Sequence, residues 1–179
     1  MRLFVALELP REAVAALEDF ARGAASPDVW RTVPPESLHV TLAFLGSVEE
    51  ALVPDIAAVL DAGGSAAPRL SFAGTLLLPP SRPRVLAAAL EDPDGTLTAM
   101  QARLSEALER LAVYEPERRP FRPHVTVARL RPRARAPRQA GTEPPPLEFH
   151  GTSVTLFSSR TSPSGARYEA LARYWLAVG

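Results

Sequence analysis

One short pattern occurs twice in this chain, first as Leu38-His39-Val40-Thr41-Leu42-Ala43 and again as Pro123-His124-Val125-Thr126-Val127-Ala128. Both copies alternate polar and apolar residues, which is the period of a half-buried β-strand. Because residues i and i+2 of a strand face the same way, each strand presents an imidazole beside a hydroxyl, with apolar residues behind them. The copies lie 85 residues apart and use two of the three histidines. Two such strands facing one another would bring two imidazoles and two hydroxyls into one site.

The segments around the two copies predict an α+β fold with antiparallel sheets, because strands come in adjacent groups with helices between the groups. Helices are predicted over 12–20, 49–60 and 96–112, turns over 92–95 and 162–165, and loops over 23–37 and 115–123. Within the first loop, Trp30 and Val33 are interpreted as a strand end or a packing anchor. Strands are predicted over 3–9, 38–45, 70–78, 84–90, 124–128, 147–158 and 168–178, the last either continuous or broken by a bulge. Each half of the chain holds one motif strand, so two similar lobes across a cleft would let these strands meet.

Composition limits the class of protein. Apolar residues make up 46% of the 179 residues, which is enough for a core, and 20 basic residues balance 20 acidic ones. The chain has no cysteine, the apolar run at 1–7 is too short for a signal peptide, and no run is long enough to span a bilayer. These features predict a cytoplasmic protein without a membrane segment, and we take it to be a monomer.

All basic residues are arginines, since the sequence contains no lysine. Four of them, Arg131, Arg133, Arg135 and Arg138, lie in an Arg- and Pro-rich segment over 131–146. This segment is typical of an extended, solvated linker, and its arginines are alternatively suited to contact a polyanion.

The paired motifs suit acid–base chemistry at phosphorus. Histidine titrates near neutrality, so one imidazole can activate an attacking oxygen while the other protonates the leaving oxygen. The hydroxyls of Thr41 and Thr126 can then bind non-bridging phosphate oxygens. A metal site needs three or more ligands, and the remaining histidine, His150, follows no ligand spacing relative to His39 and His124. We therefore predict neither a metal nor another cofactor.

The sequence resembles the bacterial 2′-5′ RNA ligase / RNA 2′,3′-cyclic phosphodiesterase branch of the 2H phosphoesterases. The resemblance is carried by the stretches at 2–7, 38–46 and 121–129, and by a tail comprising Leu156, Ser158, Ser159, Gly165, Tyr168, Leu171 and Trp175. It implies that residues 1–179 form a single bilobal domain, with two antiparallel-sheet lobes related by a pseudo-two-fold axis, helices outside and the site in a central cleft.

The resemblance also implies metal-free hydrolysis of the 2′,3′-cyclic phosphate at an RNA or nucleotide end to a 2′-phosphate, and reversible 2′-5′ RNA ligation by the same chemistry. It maps the catalytic pair to His39 and His124, and substrate binding to Thr41, Thr126 and Arg129. His124 would be the base and His39 the acid, an assignment that the residues alone leave open. Arg129 has the opposite strand parity to His124, so it reaches the site only if the strand ends or bulges.

A second interpretation is a nucleotide- or RNA-binding module that keeps the fold without turnover. Binding alone does not need two titratable groups, so retention of both histidines and both threonines favours the enzyme.

Overall fold

The computed structural model describes residues 1–162 and 165–179, which form a sheet of nine strands with three α-helices against it. The helices are α1 (Arg11–Ala24), α2 (Val53–Ala58) and α3 (Thr96–Arg110). The strands are β1 (Arg2–Glu8), β2 (Trp30–Thr32), β3 (His39–Ser47), β4 (Arg69–Leu78), β5 (Val85–Glu91), β6 (His124–Leu130), β7 (Glu148–His150), β8 (Ser153–Ser162) and β9 (Gly165–Trp175). The turn predicted over 162–165 centres on two residues outside this description.

The sheet consists of two groups of strands that meet at the motif strands β3 and β6. Its order is β7-β4-β5-β6-β3-β1-β8-β9, with β2 paired to the end of β6, and the pairings between these strands are antiparallel. β3 and β6 share a single residue pair, Val40 with Val125. The α+β class with antiparallel strands is therefore confirmed, and each motif strand is the innermost strand of its own group.

The core lies between this sheet and the two long helices. α1 buries Ala13, Leu17 and Phe20. α3 buries Leu97, Met100, Leu104 and Leu108, the apolar stripe that its 3.6-residue period predicts. The start of α3 is fixed by Asp92, whose carboxylate accepts hydrogen bonds from the backbone N–H groups of Leu97 and Thr98 at 3.1 and 2.8 Å.

The prediction of one continuous helix over 49–60 is wrong. The chain forms a 3₁₀ turn over Glu50–Leu52, then α2, then a second 3₁₀ turn over Leu60–Gly63. Pro54 explains the break, because it has no N–H to bond the carbonyl one turn earlier and is accepted only in a first turn. Within the loop predicted over 23–37, Trp30 is both the strand end and the packing anchor that the sequence allowed, since it begins β2 and is buried.

The strand predicted over 147–158 is two strands in different groups. β7 pairs with β4 on one side of the molecule, whereas β8 pairs with β1 on the other. Gly151 and Thr152 carry the chain across. The last strand, β9, has the bulge that the sequence allowed, opposite Leu156 and Phe157.

The crossing at Gly151 generates a stability prediction. A Cβ on Gly151 would lie 2.7 to 2.9 Å from three side-chain atoms of Leu7, which is fully buried. Gly151→Ala should therefore lower the free energy of unfolding by about 1–3 kcal/mol, the usual effect of overpacking, in a urea titration. Gly141→Ala is the matched control, since nothing lies within 4 Å of its Cβ position. Equal stability of the two variants would contradict the close packing at the crossing.

Candidate active site

The register of the two motif strands brings their polar residues together. Val40 pairs with Val125 in an antiparallel ladder, so His39 lies across from Thr126, and Thr41 lies across from His124. The two valines point to the opposite face and are buried. A small cavity of about 40 Å³ lies on the polar face, lined by Val33, Ser37, His39, Thr41, His124, Thr126, Arg129 and Tyr168. The four motif residues and Arg129 therefore share one cavity.

Arg129 reaches this cavity through a bulge in β6. Ala87 of β5 pairs with Thr126 and Leu86 pairs with Ala128, which leaves Val127 as an extra residue in β6. Both Val127 and Ala128 are buried, so the alternation is reset and Arg129 returns to the face of the histidines. The bulge supplies the condition on which the sequence prediction for Arg129 depended.

β3 carries the matching bulge. Ala6 of β1 pairs with Thr41 and Val5 pairs with Ala43, so Leu42 is the extra residue. The residue that returns to the site face is Phe44, whose exposed fraction is 51%. The two motif strands thus share one backbone pattern, with Phe44 on β3 in the position that Arg129 occupies on β6.

Both imidazoles are held by the same backbone contact. The Nδ1 atom of His39 lies 2.8 Å from the carbonyl oxygen of Ser37, and Nδ1 of His124 lies 2.8 Å from that of Arg122. A carbonyl can only accept, so each Nδ1 carries the proton and donates. Nε2 of each ring is then the atom that gains or loses a proton. Nε2 of His39 lies 3.1 Å from Oγ1 of Thr41, its neighbour on the strand.

The surroundings of His39 are aromatic. Its ring centroid lies 4.9 Å from that of Phe4, 5.5 Å from Tyr168 and 6.3 Å from Phe157. Burial lowers the pKa of His39 to about 4, and the positive charge of Arg129 and the neighbouring His124 act in the same direction. The Ser37 carbonyl and the Glu8 carboxylate oppose the shift without cancelling it. His39 is therefore neutral at pH 7 in the free protein.

Sequence reasoning missed part of this site. Ser37 and Val33 line the cavity from the loop that precedes β3, and no local pattern distinguishes them. Tyr168 belongs to the tail that carried the family resemblance, although the sequence assigned it no role. His150 lies elsewhere, in β7, paired with Arg69 at the outer edge of the sheet. Among residues 1–162 and 165–179, no group of three or more His, Cys, Asp or Glu side chains could hold a metal ion.

A larger groove of about 900 Å³ opens beside the cavity and shares Thr41 and His124 with it. Phe44, Tyr114 and Phe121 give it an aromatic lining, and α3 contributes Glu106 and Glu109. A groove with aromatic walls next to two imidazoles is suited to a nucleobase attached to a phosphate.

None of the described helices is long and apolar enough to cross a membrane.

The lowered pKa of His39 predicts a pH-dependent stability. The unfolded chain takes up a proton at the ordinary value of 6.5, whereas the folded chain does so only near 4. Stability therefore falls as the pH drops from about 7 to 4, by up to about 3 kcal/mol from this group. Urea unfolding at pH 7 and pH 4.5 should show that His39→Gln loses this part of the pH dependence. His124→Gln should retain it, and the same pH dependence in both variants would contradict the assignment to His39.

The comparisons with known proteins agree on one family. A curated RNA 2′,3′-cyclic phosphodiesterase of Thermus thermophilus is 36% identical over 187 residues, covering 98% of this chain and 90% of that protein. One of Escherichia coli is 31% identical and covers 98% and 96%. A Thermus thermophilus crystal structure superposes with a TM-score of 0.80 at 31% identity, covering 98% of both chains. Escherichia coli LigT complexed with 3′-AMP gives 0.79 at 26% identity, covering 98% and 97%. Residues 9–163 match the model of the 2′-5′ RNA ligase superfamily, and the chain belongs to that family.

Proposed function

We propose that this protein is an RNA 2′,3′-cyclic phosphodiesterase that opens terminal cyclic phosphates to 2′-phosphates with His39 and His124 as an acid–base pair. The relatives named for this activity support the substrate class. The observation that carries the mechanism is the shared cavity, in which two imidazoles with Nδ1 already bonded to carbonyls meet two hydroxyls and one guanidinium.

In the proposed step, a water oxygen attacks phosphorus while Nε2 of His124 takes its proton. The bond between phosphorus and the 3′ oxygen breaks, and Nε2–H of His39 donates its proton to that oxygen. The products are a 2′-phosphate and a free 3′ hydroxyl. Thr41 and Thr126 would donate hydrogen bonds to the non-bridging oxygens, and Arg129 would neutralise their charge.

The acid role of His39 requires a proton that the free protein does not hold at neutral pH. An anionic phosphate bound against the imidazole favours its charged form, so substrate binding would raise the pKa of His39 and take up a proton. The assignment therefore makes protonation of His39 a consequence of binding.

An RNA 5′ hydroxyl in place of water would give a 2′-5′ linkage by the same proton transfers, which is the proposed ligase reaction.

Single substitutions of the two histidines test the roles. A base must be deprotonated, so His39→Ala, which retains His124, should show kcat/KM rising with pH. An acid must be protonated, so His124→Ala should show kcat/KM falling from near pH 4, the pKa of His39 in the free protein. Each substitution should lower kcat by about 10²–10⁴, or roughly 3–5 kcal/mol of barrier, and the two effects should not add.

The assay uses a 2′,3′-cyclic mononucleotide in EDTA. If kcat/KM of His124→Ala rose with pH instead of falling, the roles of the two histidines would be exchanged. If kcat/KM changed with pH in the same direction in both variants, the acid–base pair would be refuted. Loss of wild-type activity in EDTA that a divalent metal restores would refute the metal-free reaction. A binding module without catalysis would bind the nucleotide and leave it intact.

Arg129→Ala is expected to raise KM about tenfold with a smaller effect on kcat, because a guanidinium contributes charge-assisted hydrogen bonds to phosphate. Removal of its positive charge should also raise the pKa of His39, which that charge lowers. Arg31→Ala is the matched control, since Arg31 is exposed and pairs with Arg129 across β2 and β6 without lining the cavity. An unchanged KM in Arg129→Ala would make Arg129 structural.

A further inference from the structure

Five exposed arginines come together near the site, at the tip of the β4–β5 hairpin and in the segment that follows β6. They line a groove of about 660 Å³ and are Arg82, Arg84, Arg131, Arg133 and Arg135, which we call the arginine patch. The described residues that line this groove include no carboxylate. The whole chain is balanced at 20 basic and 20 acidic residues, so the patch is a local concentration of positive charge.

The backbone holds the patch close to Arg129. Leu130 N–H donates to the carbonyl of Arg84 at 2.8 Å, and Arg131 N–H donates to that of Val29 at 2.9 Å. These two hydrogen bonds start at the first and second residues after Arg129. They join the β4–β5 hairpin and the start of β2 to the end of β6. Arg133, four residues after Arg129, has its Cα at most about 14 Å from that residue.

The fold itself does not use the charge of these arginines. Among the described residues, none of the five forms an ion pair. Arg131 alone has a side-chain hydrogen bond within the described part of the chain, from Nε to the carbonyl of Pro27 at 2.6 Å. Like charges held together without partners destabilise a folded chain, so their grouping calls for an anionic ligand.

The backbone at Arg133 supports this view. Pro132 and Arg133 form the centre of a turn closed by a 3.1 Å bond from Ala134 N–H to the carbonyl of Arg131. Arg133 has a φ of 66°, in the left-handed region where glycine or asparagine is the favoured residue. A long cationic side chain is therefore held in a conformation that glycine would adopt with less strain.

We propose that the arginine patch binds phosphates of the RNA chain upstream of the cyclic end, so that an RNA of several nucleotides is a better substrate than a mononucleotide. This inference rests on the proposed function and names its substrate class. Guanidinium groups bind phosphates in a bidentate way. The patch begins two residues after Arg129, so a single strand that leaves the cavity beside Arg129 would reach it. The terminal nucleotide engages the cavity, and the patch engages the preceding backbone.

The test compares a 2′,3′-cyclic mononucleotide with an oligoribonucleotide about ten nucleotides long that ends in a 2′,3′-cyclic phosphate. Arg82→Gln/Arg135→Gln should lower kcat/KM on the oligonucleotide about tenfold and leave the mononucleotide unaffected. The dependence of log kcat/KM on log salt should become shallower by about 0.7 for each phosphate that the variant no longer neutralises. The charge-matched control is Arg11→Gln/Arg110→Gln, which removes two exposed arginines from the ends of α1 and α3. It should leave kcat/KM unchanged on both substrates.

Arg133→Gly separates binding from folding. It should weaken the reaction of the oligonucleotide without lowering the midpoint of thermal unfolding, because glycine relieves the left-handed conformation. The proposal that the patch binds RNA would be overturned if the patch and control variants changed kcat/KM on the oligonucleotide equally. It would also be overturned if the patch variant lowered kcat/KM equally on both substrates. Fluorescence anisotropy of the labelled oligonucleotide on each full-length variant gives the same comparison without turnover. The patch is therefore tested even if the wild type opens neither substrate, which would refute the proposed function alone.

Discussion

The single backbone pair between Val40 and Val125 is the constraint on which the site depends. It is the only register pair between β3 and β6 in the described part of the chain, and it joins two groups of strands that are otherwise separate ladders. Both valines are buried, so the hydrophobic free energy of this contact holds the register. A slip of one residue would turn an imidazole and a hydroxyl into the core and bring valine to the surface.

The bulges after Thr41 and Thr126 extend the site beyond what a regular strand allows. A regular strand would place every second residue on the polar face, and both Phe44 and Arg129 would then point into the core. One extra residue ahead of each of them, Leu42 in β3 and Val127 in β6, moves them to the histidine side, and only local ladder bonds are disrupted. Each motif strand thereby offers three residues, and the third differs in chemistry between the two.

The parts of the fold that the sequence predicts are those specified by local periodicity. The alternation in the motif strands and the stripe from Leu97 to Leu108 are read directly, and both occur as predicted. Local periodicity cannot predict that the 147–158 segment forms two strands. That division depends on contacts between Gly151 and Leu7, which are far apart in the chain. For the same reason Ser37 has no local signal that would place it in the site, and Arg129 stays conditional on a bulge. The environment of His39 comes from Phe4, Phe157 and Tyr168, which belong to three different strands.

The backbone pattern that β3 and β6 share explains why the site has two similar imidazoles, and the side chains packed around that pattern explain how the two can differ. Backbone geometry treats them alike, since each Nδ1 donates to the carbonyl two residues earlier. The side chains around them do not, because three aromatic rings surround His39 and none of the ring contacts among the described residues involves His124. Desolvation lowers the pKa of His39 through residues that the repeated motif does not contain. The repeated strand pattern supplies two similar imidazoles. The packing of β1, β8 and β9 against His39 is not part of that repeat, and it would give the two imidazoles different roles.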